Sequence, residues 1–171
     1  MRVLVVIDMQ NDFIDGPLGS AEAVSIVPNV INKVNEYMNS HDWILFTMDT
    51  HGADYLDTHE GKLLPVPHCI HGTPGWRIAD GVFPKKYNHC GATVKHTFGA
   101  KWGCHALVTH ADEIEIVGLC TDICVVSNAL ILRALCPDAD IKVDSACCAG
   151  TSREAHEAAL KVMKSCQIEV Y

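Results

Sequence analysis

The chain has 171 residues, 49% of them hydrophobic, which suits one domain with a full core rather than a disordered segment. Its formal net charge is −8 and it holds no basic run, which argues against a nucleic-acid phosphate surface. Apolar stretches are only strand-length, which argues against a membrane span, and nine cysteines without a CxxC pair point to a reducing cytoplasm rather than a secreted disulfide framework.

Residues 2–7 read as a buried first strand: one basic residue, Arg2, precedes an apolar run closed by Asp8, which does not fit a signal peptide. Val27 to Met38 has helical spacing with Pro28 near its start. Trp43 to Met48 is a second strand. Residues 49–92 are rich in proline, glycine and histidine with little periodicity, and a loop of that length in a compact domain is usually functional. Thr93 to His96 reads as a short strand and Cys104 to His110 as a short helix. A strand over Glu113 to Leu119 precedes a helix over Asp122 to Leu135, with Thr121 or Asp122 as its N-cap. Ala139 to Val143 is a strand, Ser152 to Lys164 a helix capped by Ser152, and Gln167 to Tyr171 a last strand.

Strand–helix alternation with continuous apolar strands predicts an α/β fold, a parallel sheet covered on both faces. Sites in such sheets lie at the carboxyl ends of strands, near a topological switch point. That rule directs attention to Asp8, Asp49, Lys95, Cys120 and Asp144. No GxGxxG or P-loop pattern follows a strand.

Cys124 sits in the predicted first turn of a helix, within Gly118-Leu119-Cys120-Thr121-Asp122-Ile123-Cys124-Val125. Free N–H groups and the helix dipole there lower a thiol's pKa, and the same N–H groups can hold an oxyanion. A buried structural cysteine fits the segment equally well. Asp8 alone reads as a turn cap, and Lys95 alone as a solvated lysine. Together the three form a set: Asp8 can take the thiol proton and Lys95 can supply positive charge.

A second set is Asp49-Thr50-His51 with Glu60 and Pro67-His68-Cys69. Mixed N/O donors suit Zn²⁺, Mn²⁺ or Fe²⁺. A polar loop whose histidines bind nothing is the simpler reading, and Asp54, Asp57, His59 and His71 leave the choice of ligands open.

Across its whole length the chain resembles the isochorismatase-like cysteine hydrolases, most closely the nicotinamidase/pyrazinamidase branch. The resemblance rests on Asp8-Met9-Gln10-Asn11-Asp12-Phe13, Asp49-Thr50-His51, Pro67-His68-Cys69 with Gly72-Thr73-Pro74-Gly75, Lys95, and the segment around Cys124. It implies one domain over 1–171 with a metal-binding loop region at about 49–92, built as a three-layer α-β-α fold on a six-stranded sheet. It implies an Asp8–Lys95–Cys124 triad and a cis peptide at Leu119-Cys120, with the Cys120 and Cys124 N–H groups as oxyanion hole. It implies one divalent metal, zinc before manganese or iron, held by Asp49, His51 and His68, with Glu60 as fourth ligand or His59 in its place. Phe13 and Trp102 match positions lining the ring pocket. The expected activity is deamidation of nicotinamide to nicotinate and ammonia in a cytoplasmic homo-oligomer. A related amidase acting on another small amide or a carbamoyl or ureido compound is the alternative. Two departures bear on the substrate: Leu64-Pro65-Val66-Pro67-His68 lacks an aromatic before the turn, and Ile123 stands where some nicotinamidases carry histidine.

Overall fold

The computed structural model describes residues 1–171, apart from the side chain of Cys104. In chain order its elements are β1 (Arg2–Ile7), α1 (Asn11–Ile14), α2 (Ala21–Asn39), β2 (Trp43–Asp49), α3 (His59–Leu63), β3 (Cys90–Lys95), α4 (Ala106–Thr109), β4 (Glu113–Leu119), α5 (Val126–Leu135), β5 (Asp140–Ala149), α6 (Arg153–Ser165) and β6 (Glu169–Val170). The strands form one parallel sheet in the order β3-β2-β1-β4-β5-β6.

Alternation along β1 divides the core. Val3, Val5 and Ile7 pack with Val125, Ala129 and Leu132 of the segment leading into and through α5, and with Met163 of α6. Leu4 and Val6 face the other way, onto Ala23, Ile26, Val30, Val34 and Tyr37 of α2. Burying both faces is what allows β1 to be apolar at every position from Val3 to Ile7. From β1 the chain winds outward to β2 and β3, then returns to begin β4 on the other side of β1. The switch point therefore lies between β1 and β4, where open α/β sheets place their crevice.

Helix α2 begins at Ala21, six residues before the start at Val27 that the apolar spacing predicts. Ser20 is its N-cap, accepting from the Ala23 N–H at 3.0 Å, and Pro28 lies inside the helix. Burial of Ile26, Val30 and Val34 on the same stripe carries the helix past the proline. The helix expected over Cys104 to His110 is reduced to the single turn of α4, preceded by a 3₁₀ turn at Trp102–Cys104.

Strand β5 runs on to Ala149, well beyond Val143. Its register against β4 jumps from Ile116–Val143 to Gly118–Cys148, a bulge that keeps the strand going through the polar Asp144-Ser145 step. Asp144 thus lies within β5, 3.2 Å from Lys33 Nζ, and is not a strand-end site group. The true end of β5 delivers Gly150 and Thr151 to the crevice. Ser152 caps α6 as its sequence position suggests, accepting from Ala155 N–H.

Where β4 passes β1, Gly118 has φ +120°, and a Cβ there would stand 2.1 Å from the Ile7 carbonyl oxygen. Neither the backbone of β1 nor this φ can accommodate a side chain. Gly118→Ala is expected to cost roughly 3 kcal/mol from overpacking, lowering the thermal midpoint by about 6–12 °C in a chain of this size. A calorimetric scan of the variant beside wild type checks this.

Candidate active site

Four strand ends build the crevice. Asp8 follows β1 with φ +46°, its carboxylate fully buried; Oδ1 accepts from Thr47 Oγ1 at 2.6 Å and the Asp8 N–H donates to the same hydroxyl. Asp49 and Lys95 end β2 and β3 as paired residues in the ladder, which brings their side chains together. Lys95 Nζ lies 2.7 Å from Asp8 Oδ2, 3.1 Å from Asp49 Oδ1 and 3.4 Å from Cys124 Sγ. Asp8, Lys95 and Cys124, far apart in sequence, are thus brought together around one ammonium group.

Cys124 does not sit in a regular first helical turn. Thr121–Val125 form a π-turn, in which Ile123 and Val125 both donate to the Cys120 carbonyl, at 3.1 and 3.0 Å. Neither expected cap residue caps. Thr121 Oγ1 bonds to His156 Nδ1 at 2.7 Å, and the Asp122 carboxylate accepts from the N–H and hydroxyl of Thr151. Both side chains are used to tie the turn to the start of α6. The Leu119–Cys120 peptide is cis.

The electrostatics of Cys124 also differ from expectation. Burial, and then the charge of Asp8, hold its thiol well above the ordinary value, although Lys95 pulls it down. Lys95 does not offset the nearly complete burial and the neighbouring Asp8 charge, so the thiol form is favoured at rest. Burial likewise raises the Asp8 carboxyl, Lys95 opposes the rise, and the negative charge of Asp49 adds to it. Burial would deprotonate Lys95, but Asp8, Cys124 and Asp49 hold it charged and raise its pKa. Asp8 is therefore the group placed to take a proton, and Lys95 is a fixed cation.

The second expected set also assembles. Donor atoms of Asp49, His51, Glu60 and His68 lie within 4.8 Å of one another. His51 Nε2 is 3.0 Å from Asp49 Oδ2 and 3.7 Å from Glu60 Oε1; His68 Nε2 is 3.6 and 3.8 Å from the same oxygens. Four donors about 2.1 Å from a central ion in a tetrahedron stand about 3.4 Å apart, so the cage has the dimensions of a divalent-metal site. His68 Nδ1 lies 2.8 Å from the Val66 carbonyl, which fixes the proton on Nδ1 and leaves the Nε2 lone pair facing the cage. Thr58 caps α3 and brings Glu60, in its first turn, to the fourth corner. His59 is not part of the cluster. Asp49 belongs to both sets: Oδ2 faces the histidines and Oδ1 faces Lys95. Burial raises its carboxyl, but bonds to His51 and His68 and the charge of Lys95 hold it far below the usual range.

Both sets open on one cavity of about 340 Å³, lined by Cys120, Cys124, Asp49, Glu60 and His68 together with apolar side chains. Phe13 lines it, its ring centroid 5.4 Å from that of His68. Trp102 does not. It is 1% exposed, packs in the core beneath, and donates its indole N–H to Asn128. The aromatic that reaches the cavity from this side is Phe98, three residues after Lys95 rather than seven. Three further residues support these groups; Thr47 and Asn128 lie outside the motifs read from the sequence, and Gln10 lies inside the one that follows β1. Thr47 orients Asp8, Asn128 bonds the Cys124 carbonyl, and Gln10 brackets Asp49 by accepting its N–H and donating to its carbonyl. Gln10 and Asn128 share a signal, a polar residue on a face that is otherwise buried.

The isochorismatase domain family matches residues 2–171. The chain belongs to this family. It is 27% identical to the nicotinamidase of Schizosaccharomyces pombe, over 98% of this chain and 91% of that one. It is 26% identical to the nicotinamidase/pyrazinamidase of Mycobacterium tuberculosis, over 99% and 98%. The crystal structure of the nicotinamidase/pyrazinamidase from Bacillus subtilis superposes with a TM-score of 0.87 at 27% identity, covering 99% of this chain and 98% of that one. As a member of the isochorismatase family with these relatives, the chain is a hydrolase of the amidase type.

Proposed function

We propose that this hydrolase converts nicotinamide to nicotinate and ammonia, with Cys124 as nucleophile. The observation that carries the reading is Asp49, one carboxylate shared by a four-donor metal cage and by the ammonium beside the thiol, with both sets opening on one apolar cavity. A ring held at the cage would present its carboxamide to Sγ. When bound, the metal supplies a Lewis acid for a ring nitrogen, and zinc suits the two-histidine, two-carboxylate set.

The chain's own residues account for the rest. Asp8 takes the thiol proton as Sγ attacks the carboxamide carbon. The developing oxyanion is held by the N–H groups of Cys120 and Cys124. Protonated Asp8 then gives its proton to the departing nitrogen, so ammonia leaves and a thioester remains on Cys124. Asp8, again a carboxylate, removes a proton from water, which attacks the thioester. Collapse releases nicotinate and returns the proton to sulfur. Lys95 stays charged throughout and balances the two carboxylates.

The competing reading is a related amidase acting on another small amide or a carbamoyl or ureido compound; a substrate of that kind that carries a carboxylate asks for a cation to meet it. The charged residues lining the cavity are Asp49 and Glu60, both acidic, and its remaining walls are chiefly apolar, including Leu64, Phe98 and Ile123. A neutral ring amide suits such a wall, and an anionic carbamoyl compound does not. One domain over residues 1–171, a cytoplasmic location and a homo-oligomeric state complete the proposal; among the described residues, no helix is long and apolar enough to cross a membrane.

Ammonia release from nicotinamide, measured with metal content, tests the reading. Wild type should carry about one metal per chain and release ammonia. Chelation should abolish release and zinc should restore it. Glu60→Ala should lower metal stoichiometry, whereas His59→Ala should not. A metal-replete wild type inert on nicotinamide would overturn the proposal.

A further inference from the structure

Asn128 is fully buried in α5, one helical turn beyond Cys124, and every hydrogen-bonding position of its side chain is engaged. Nδ2 donates to the Cys124 carbonyl at 2.7 Å and to the Phe98 carbonyl at 3.1 Å. Oδ1 accepts from the Ala100 N–H and from the Trp102 indole N–H, both at 2.8 Å. A fully satisfied buried amide fixes the geometry of what it touches. Here it touches the peptide of the nucleophile and the 98–102 loop, which follows Lys95 and carries the cavity-lining Phe98.

We propose that Asn128 is a positioning residue that holds the Cys124 backbone, and with it Sγ and the Cys124 N–H, in register with Asp8 and Lys95. The proposal rests on the reading of Cys124 as nucleophile. The π-turn's own backbone bonds run to the Cys120, Thr121 and Ile123 carbonyls, whereas the Cys124 carbonyl receives the Asn128 side chain. The other ties, Thr121 to His156 and Asp122 to Thr151, hold the turn on its α6 side. Asn128 is the tie towards β3 and Lys95.

Two substitutions separate positioning from general packing. Asn128→Ala and Asn128→Ser both lose the acceptor of the Ala100 and Trp102 N–H groups. Only serine keeps a donor, because a helical serine bonds the carbonyl four residues back, which is that of Cys124. The expected result is a fall in kcat of about 100-fold for Asn128→Ala with KM nearly unchanged, since misplacing a reacting group by about an ångström costs that much. Asn128→Ser should stay within about tenfold of wild type. Alkylation of Cys124 by iodoacetamide, followed by mass spectrometry, should slow in the same order. The Trp102 indole N–H resonance should shift in both variants, reporting the lost bond. Equal losses in both variants, or alkylation of Asn128→Ala as fast as wild type, would overturn the proposal. Asn128→Thr, which fills more of the vacated volume, replaces serine if that protein does not fold. Because alkylation needs no substrate, an enzyme inert on nicotinamide would sink the functional reading and leave this test intact.

Discussion

Cys124→Ala should lose at least about 10⁴ of kcat while keeping its fold and its metal, because the covalent route disappears and only binding and the oxyanion donors remain. Cys124 is only 5% exposed and makes no essential packing contribution that a methyl cannot approximate, so the thermal midpoint should move little. Cys124→Ser should fare no better. Burial and Asp8 already hold the thiol well above its ordinary pKa, so attack depends on Asp8 receiving the proton during the step. A hydroxyl, intrinsically far less acidic, asks more of that base than it can give. Steady-state ammonia release, with mass spectrometry for a trapped acyl adduct, checks both variants. Combining Cys124→Ala with Asp8→Asn should lower activity no further, as groups that act as a unit do not add. Additive losses would show that Asp8 works outside the thiol pathway.

The layout of this centre was legible in the sequence because a parallel sheet writes its site at the ends of apolar runs. Asp8 and Asp49 follow or end largely hydrophobic strands, Lys95 closes a weaker one, and Cys120 follows the strand that ends Gly118-Leu119. The aggregate of His51, Glu60 and His68 was legible only as a set of options, since the loop offers several other His, Asp and Glu side chains. What excludes His59 is the orientation of α3, fixed by the Thr58 cap, which puts Glu60 towards the cage. Three features resisted reading. The raised pKa of Cys124 comes from burial and a carboxylate on another strand, neither of which is local. The exchange of Phe98 for Trp102 depends on Asn128 capturing the indole from a distant helix. The length of β5 depends on a bulge that absorbs Asp144 and Ser145 within the strand, where composition suggests a turn.

Asp8→Asn carries the second large effect and ties the electrostatics to a measurable curve. The substitution preserves the acceptor for Thr47 Oγ1, so the turn after β1 keeps its bond, but it removes the carboxylate proposed to accept the thiol proton. A fall in kcat of about 10²–10⁴ is expected, the range for a general acid–base group. The wild-type pH profile gives the sign. Asp8 must be ionised in the free enzyme, and burial raises its carboxyl above the usual aspartate value of about 4. As pH falls through that raised value Asp8 gains a proton, and kcat/KM falls with it. The acid limb should therefore lie above the range of an ordinary aspartate. Thr47→Val removes the hydroxyl hydrogen bond to Oδ1, which stabilises the charged form, so it should move this limb to still higher pH. Metal content should be unchanged, because the Thr47 hydroxyl bonds to Asp8, which is not a member of the cage. An acid limb that stays in place in Thr47→Val would assign the titration to a group other than Asp8.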